Sequence, residues 1–443
     1  MIDTSDLTYY RLKLREEILI QMHSNNLNQK DLSKLLYISP QSFSYIMNNK
    51  QAFSMKQIDR LTRVFKLEDN FFYGLIYGEI FRDTAGVSLS KAIEFIKACS
   101  QNAKGIAHCS KVVELFLEVI DTKNLPNALV LAETLFGYGF LSEAASVYYS
   151  IANIERKISE RLAVCWHRIF LIERDRDMKK KGVEALHKLQ TVLDDLPTEY
   201  PAQKNGSIEL INLQLDGYYR IVTWFNVTKE WEELILISEA YYKEAKDAQD
   251  LKHQGEALLY QAAGLIGVGK LRKAVGFLRE CHTLGEYYRW AAMSNEKLIE
   301  VMEGKVEAIS EFIRLVVEKD QDHEIITVAP HAIRTLLSKG QLDGIRVFLD
   351  KYSAVFESVS SKKDKYNKSQ FYNFQVVRLQ YYLAKKQYKE AFNDVLEVVR
   401  TALEFGDIST YQEMSAILFE HKAILGEDVE HRYMNILKRG ETG

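Results

Sequence analysis

A short phrase recurs along this chain, a small or charged lead-in followed by an Ala or aliphatic residue that opens a helix. It is read at Ala144 (GFLSEA), Ala185 (GVEA), Leu234 (EWEEL), Ala274 (KLRKA), Ala308 (KVEA), Ile345 (QLDGI) and Ala391 (QYKEA). The steps between these marks are 41, 49, 40, 34, 37 and 46 residues. Such a period constrains the fold strongly. One helical hairpin cannot bury its apolar face alone, so neighbours must stack. A small residue at each mark lets the two helices of a hairpin approach closely. Only five prolines, Pro40, Pro126, Pro197, Pro201 and Pro330, interrupt the 443 residues, which favours a nearly all-helical chain.

A period near 34 residues with some longer units is that of tetratricopeptide-like helix pairs. The stretches ALVLAETLFGYGFLSEAASVYYSIA and LLYQAAGLIGVGKLRKAVGFL each read as helix, Gly turn, helix. The expected fold is therefore all-α, with residues 91–443 forming a right-handed helical solenoid around a channel. Solenoids of this kind hold extended peptides on the inner faces of their first helices. Counting back from Leu234, the inward positions are Tyr219, Arg220, Thr223 and Asn226. Asn226 and Thr223 can hydrogen-bond a peptide backbone, and Arg220 can hold a carboxylate. Tyr260, Asn373 and Gln380 are the corresponding candidates in other units.

Residues 1–70 have a different grain. A first helix is expected over Tyr9–Ser24, burying Leu12, Ile18, Leu19 and Met22 and ending at Asn25-Asn26, since Asn tolerates the left-handed region. Asn28 caps a second helix with Asp31 in its first turn, and Leu32, Leu35 and Leu36 mark its core stripe. Ser39 caps a third, with Pro40 at its first position. That helix turns Phe43, Ile46 and Met47 inward and presents Gln41, Ser42, Ser44 and Tyr45 outward. A fourth helix, Ser54–Phe65, buries Met55, Ile58, Leu61 and Val64. Two short helices, the second carrying polar residues at its N-terminal end, can address a DNA major groove. Gln can pair with adenine and Ser with several base edges. Gln29 is placed to touch a phosphate and brace Gln41, and Lys50 to touch another phosphate. Residues 71–90 make a connector. The apolar, aromatic stretch LEDNFFYGLIYGEIFRD favours a packed helix there, and Thr84–Ser90 is the weaker boundary.

The pattern N-Q-x-x-L-S-x-x-L-x-I-S-x-x-x-F-S-x-I-x-N over residues 28–48, followed by a helix ending V-F-K-L, resembles the phage-repressor (Cro/cI-like, XRE) helix-turn-helix class. It departs from that class at Tyr37 and Asn49, where turn glycines are usual. A head of this class joined to a helical-repeat body resembles the Gram-positive peptide pheromone receptors of the RRNPP group, which includes the phage arbitrium receptors. The likeness is one of architecture and covers nearly the whole chain. It implies a cytoplasmic homodimer that binds a double-stranded DNA operator under the control of a short signalling peptide. The other reading is a protein-interaction module that sequesters another regulatory, phage or host protein.

Little else in the sequence suggests chemistry. There is no P-loop, GxSxG, HExxH or Gly-rich dinucleotide turn, so neither an active site nor a cofactor is expected. Cys99, Cys109, Cys165 and Cys281 lack metal-ligand spacing and read as buried small hydrophobes, with His108-Cys109 a weak nucleophile pair. No run of about 18 apolar residues suggests a membrane span, and no secretory signal is read at the N-terminus. The net charge is −3, while residues 1–70 hold ten Lys/Arg against eight Asp/Glu, a mildly basic head on an acidic body. The basic run Arg174–Lys181 reads as a solvated loop.

Overall fold

Capping residues and left-handed turns set where the first helices begin and end. In the computed structural model, which describes residues 4–81, 87–101, 105–204, 207–362, 365–405, 407–421, 424 and 427–440, the head opens with α1 (Thr4–Ser24). Asn26 then turns at φ +51°. The side chain of Asn28 accepts from the Asp31 N–H at 2.9 Å and starts α2 (Gln29–Leu35). Ser39 Oγ accepts from the Ser42 N–H at 3.0 Å and starts α3 (Pro40–Met47). Ser54 caps α4 (Met55–Val64) in the same way. Each cap is worth about 1 kcal/mol.

The buried face of α1 is not the expected one. Leu7, Leu14, Ile18 and Met22 are buried, while Leu12 and Leu19 are 55% and 49% exposed. The cause is Arg15, which takes an inner position because its Nε and Nη1 find acceptors. It donates to the Ile46 carbonyl at 2.9 Å, the Arg11 carbonyl at 3.0 Å and Glu79 at 2.6 Å. Glu79 also accepts from the Phe53 N–H at 2.8 Å. Glu79 lies on the short α5 (Tyr77–Ile80), which packs onto α1 so tightly that a Cβ on Gly78 would stand 2.6 Å from Arg11 Cγ. Leu35, expected in the core stripe of α2, is also exposed, with Leu32 and Leu36 buried.

Helical hairpins follow. They are α6 (Leu89–Ser100) with α7 (Gly105–Leu117), α8 (Leu125–Gly137) with α9 (Leu141–Ile154), and α10 (Glu160–Arg176) with α11 (Lys181–Thr191). Next come α12 (Leu213–Thr228) with α13 (Trp231–Asp247), α14 (Leu251–Gly267) with α15 (Leu271–Cys281), and α16 (Glu286–Met302) with α17 (Glu307–Val317). The last are α18 (Ile325–Ser338) with α19 (Leu342–Lys351), α20 (Ser353–Ser361), α21 (Lys365–Ala384) with α22 (Tyr388–Phe405), and α23 (Ile408–Glu420) with α24 (Glu427–Gly440). All seven repeat marks are buried, none more than 2% exposed, and each lies in the first turns of a second helix. Five residues before a mark the backbone turns left-handed at Gly139, Lys229, Gly269, Gly340 and Lys386, and four before at Gly304.

Among the described residues the helical expectation fails at two places. The connector, read as one packed helix, holds before α6 only a 3-10 turn at Tyr73–Leu75, the four-residue α5 and an isolated β-bridge between Phe81 and Val87. Strands β1 (Tyr200–Lys204) and β2 (Ser207–Ile211) pair antiparallel, Tyr200 opposite Ile211. Pro197 and Pro201 deny this stretch a helix, and Asn205-Gly206 is the commonest two-residue hairpin sequence. In the basic run Arg174–Lys181, Arg174–Arg176 form the last turn of α10 and only residues 177–180 are loop. Of the connector boundary Thr84–Ser90, residues 84–86 lie outside the described residues.

Internal contacts divide the chain into two units. The first is Met1–Arg176 with Glu184–Leu213, and the second Asp177–Val183 with Gln214–Gly443. In the first unit the connector is packed rather than tethered. Tyr73 and Tyr77 meet the Phe95 ring at 5.4 and 6.3 Å, and Tyr77 Oη lies 2.9 Å from His108 Nδ1.

Candidate functional site

On the head, α3 carries one exposed polar row. Ser39 Oγ donates to Ser42 Oγ at 2.9 Å while accepting from the Ser42 N–H, so both hydroxyls are used in fixing the helix start. Gln41 and Tyr45 are exposed one turn apart, and Gln41 Nε2 donates to Tyr45 Oη at 2.9 Å. Ser44 is half-buried; its Oγ accepts from Asn48 Nδ2 at 3.3 Å. Lys50 stands 5.9 Å from the Tyr45 ring. Gln29 is exposed at the start of α2, and the brace expected between it and Gln41 is not made, because Gln41 is bonded to Tyr45. Residues 36–39 join α2 to α3, and Tyr37 adopts φ +56° there with 80% of its surface exposed. Arg60 reaches from α4 beneath this turn. It donates to the Leu36 carbonyl at 3.0 Å and stacks 4.4 Å from the Tyr37 ring. The Tyr37–Arg60 pair was not among the sequence candidates, although Tyr37 was marked by its departure from glycine.

In the second unit, α12 buries Leu215, Tyr218, Ile221, Val222, Trp224 and Phe225, leaving Tyr219, Arg220, Thr223 and Asn226 on its other face, none fully buried. Tyr219 meets Tyr260 of α14 edge-on at 6.2 Å. Arg220 is committed locally: it pairs with Asp216 at 3.1 Å and lies 5.3 Å over the Tyr219 ring. Thr223 Oγ1 donates to the Arg220 carbonyl at 2.7 Å. Asn373 and Gln380 lie on α21, half-buried and exposed. Among the described residues no hydrogen bond, ion pair or ring contact links either of them to the Tyr219–Tyr260 pair. Glu256, one turn before Tyr260, accepts from Tyr288 Oη at 3.4 Å, and burial pushes its carboxyl up.

A cavity of about 320 Å³ opens where the α12–α13 turn, α21 and the α22–α23 turn meet, lined by Met178, Val227, Lys229, Tyr372, Asp407 and Ile408 among others. Lys229 enters it from a left-handed backbone, φ +61°. A non-glycine residue there is strained by roughly 1–2 kcal/mol. Three other hairpins have glycine at this turn position, Gly139, Gly269 and Gly340. On α18, half-buried His331 is pushed down to about 4 by burial and by the charge of Arg334 one turn on. None of Lys229, His331 and Arg334 was singled out in the sequence.

The cysteines are buried thiols. Burial pushes Cys99 up to about 12 and raises Cys109, Cys165 and Cys281 as well. Among the described residues no group of three His, Cys, Asp or Glu could hold a metal ion, and no helix is long and apolar enough to cross a membrane. Besides the pair of Arg15 with Glu79, the first unit holds a bidentate ion pair. Arg168 donates twice to Glu133, each bond 2.9 Å, and Tyr148 bonds the same carboxylate. Burial pushes Glu133 up, but the guanidinium and these hydrogen bonds outweigh it and hold the carboxyl below its usual range.

Neither a family model nor a curated protein matches the chain. Among solved structures, the chain is similar to a "Circular tandem repeat protein with novel repeat topology and enhanced subunit contact surfaces", with 12% identity, 99% of this chain and 98% of that chain covered, and a TM-score of 0.16. A likeness at that level carries no argument about fold or function.

Proposed function

We propose that this chain is a DNA-binding transcription regulator whose repeat body receives a short signalling peptide. The observation that supports DNA reading best is the polar row of exposed Gln41 and Tyr45 with half-buried Ser42, on a helix held at its start by Ser39 and Pro40. Rigid presentation matters, because base-edge hydrogen bonds discriminate only when the donors are already in place. In this reading α2 and α3 are the helix-turn-helix, Lys50 and Gln29 take phosphates, and the hairpins form a tetratricopeptide-like solenoid. The protein acts as a homodimer. Two heads then address half-sites about 34 Å apart, and a peptide that binds one body conformation more tightly shifts the fraction able to span them.

The test is the double variant Gln41→Ala/Ser42→Ala. It should abolish sequence preference for DNA while leaving salt-dependent, non-specific binding nearly intact. Unchanged target regulation in cells would refute DNA reading by α3.

A second reading has its own support. Tyr9, Leu12, Leu19 and Ile20 leave α1 with large apolar side chains 49–55% exposed. That surface suits a protein partner, as in a module that sequesters another regulator. Leu12→Glu/Leu19→Glu would then disrupt partner capture without altering DNA preference.

A further inference from the structure

Three successive first helices of the second unit each carry a tyrosine that is not fully buried, Tyr219 on α12, Tyr260 on α14 and Tyr287 on α16. The edge-on contact of Tyr219 with Tyr260 joins the first two. Tyr288 ties α16 to α14, where a Cβ on Gly255 would stand 2.4 Å from its ring. Beside it, Tyr287 is 59% exposed, with its ring 5.1 Å from that of Tyr288 and 5.7 Å from that of Trp290. Trp290 is anchored in turn, since its Nε1 donates to the Leu315 carbonyl at 2.9 Å.

One half-buried carboxylate lies among these rings. Glu256 is one turn before Tyr260 on α14, so the two share a face of that helix. Tyr288 Oη donates to it at 3.4 Å, and its charge reaches the Tyr287 hydroxyl. That long bond is the only one its carboxylate makes among the described residues. Other acids of this unit have close cations: Asp216 pairs with Arg220 at 3.1 Å and Asp394 with Arg378 at 2.6 Å. Glu256 has no ion pair among the described residues, and Lys252, exposed one turn earlier, acts on it only through its charge. A carboxylate offers about four lone-pair positions, and one weak donor leaves most of them to be filled. The rings beside it can hold a cation too. Arg220 already lies 5.3 Å over the Tyr219 ring, while among the described residues no cation stands over Tyr260 or Tyr287.

We propose that Glu256, Tyr260 and Tyr287 receive a cationic side chain, lysine or arginine, of a bound peptide, with the carboxylate taking the charge and the two rings its alkyl stem. Charge complementarity selects this occupant. An under-bonded anion flanked by aromatic faces attracts a cation both by Coulomb attraction and by the ring quadrupoles. The span favours a peptide over a free ion. Neighbouring helices pack about 8–10 Å apart, so three of them cover roughly 16–20 Å. An extended chain of about five or six residues, at ~3.3 Å each, has that reach. The inference rests on the peptide reading above and adds to it a charge requirement at one peptide position.

The experiment uses the immobilised full-length protein and two randomised, N-acetylated hexapeptide pools, one containing Lys and Arg and one with Gln in their place, with retained peptides identified by mass spectrometry. Wild-type protein should retain the cationic pool about tenfold or more over the neutral one. Glu256→Gln and Tyr287→Leu should each lose most of that preference, while Tyr287→Phe and Glu239→Gln, an exposed site on α13, keep it. Glutamine at 256 still accepts from Tyr288, and residue 287 is exposed, so neither variant removes a contact the fold needs. A preference that survives both Glu256→Gln and Tyr287→Leu would overturn this site. Neutral peptides retained only when their N-termini are left free, and lost again in Glu256→Gln, would overturn the side-chain occupant in favour of a terminal ammonium. Equal retention of both pools by wild type would overturn the cation site and leave the peptide reading standing. Retention of neither pool would overturn both.

Discussion

Single residues carry most of the energy that can be tested directly. Arg168 is buried and Glu133 largely so, and removing the arginine leaves the carboxylate without its counter-charge. Arg168→Met should cost about 3–5 kcal/mol in urea unfolding. The double variant Glu133→Gln/Arg168→Met should recover much of that loss, because both charges are then gone. His331 gives a pH signature. Its folded value, about 4, lies below the ordinary 6.5, so the unfolded chain binds more protons between those values. The native state should therefore lose stability as pH falls from 6.5 to 4, and His331→Gln should flatten that slope, read by thermal melts across the window. Lys229→Gly relieves a left-handed side chain and should raise stability by about 1 kcal/mol if the partly exposed pairing with Asp407 is worth little. A lower melting temperature would make Lys229 a structural residue instead. Among these residues only local signals were legible beforehand. Asn26, Tyr37 and Asn49, marked in the sequence at turns, all take positive φ. The Arg15–Glu79 pair spans 64 residues and has no local signal, which is why Leu12 and Leu19 were assigned to the wrong face of α1.

Helices approach one another as closely as their smallest residues allow, and α14 shows the limit. A Cβ on Gly267 would stand 2.3 Å from the Trp231 ring, and one on Gly255 2.4 Å from Tyr288. Gly267→Ala should cost about 1–3 kcal/mol through overpacking. Gly276 on α15 has nothing within 4 Å of a Cβ, so Gly276→Ala should stabilise by up to about 1 kcal/mol. Opposite signs in chemical denaturation would establish that α14 is set by contact rather than by propensity. This scale was the most legible. Seven marks read from the sequence are buried near the starts of second helices, because a buried Ala or aliphatic residue and a turn recur together where these hairpins close. The β1–β2 hairpin was not read, since its turn sequence sits inside a stretch assigned by repeat period. The cavity was not legible either, as its walls come from hairpins about 180 residues apart and no repeat period encodes which open faces meet.

For the whole molecule, the proposal assigns separate tasks to separate surfaces of one chain. On that proposal the α3 row would read bases, the repeat helices would receive a peptide, and occupancy of the second would alter the first. Coupling of this kind amounts to a five- to 150-fold change in affinity, about 1–3 kcal/mol. A rigid joint would help to transmit it, and within the first unit Tyr73 and Tyr77 supply packing between the connector and α6. The most direct measurement is selection by the full-length protein from a random pool of DNA duplexes, repeated with a peptide retained by the same protein. A two-fold-symmetric motif should be enriched, disappear with Gln41→Ala/Ser42→Ala, and change in affinity by about fivefold or more when the peptide is added. No enriched motif, or a motif indifferent to both the peptide and the substitutions, would contradict the proposed regulator.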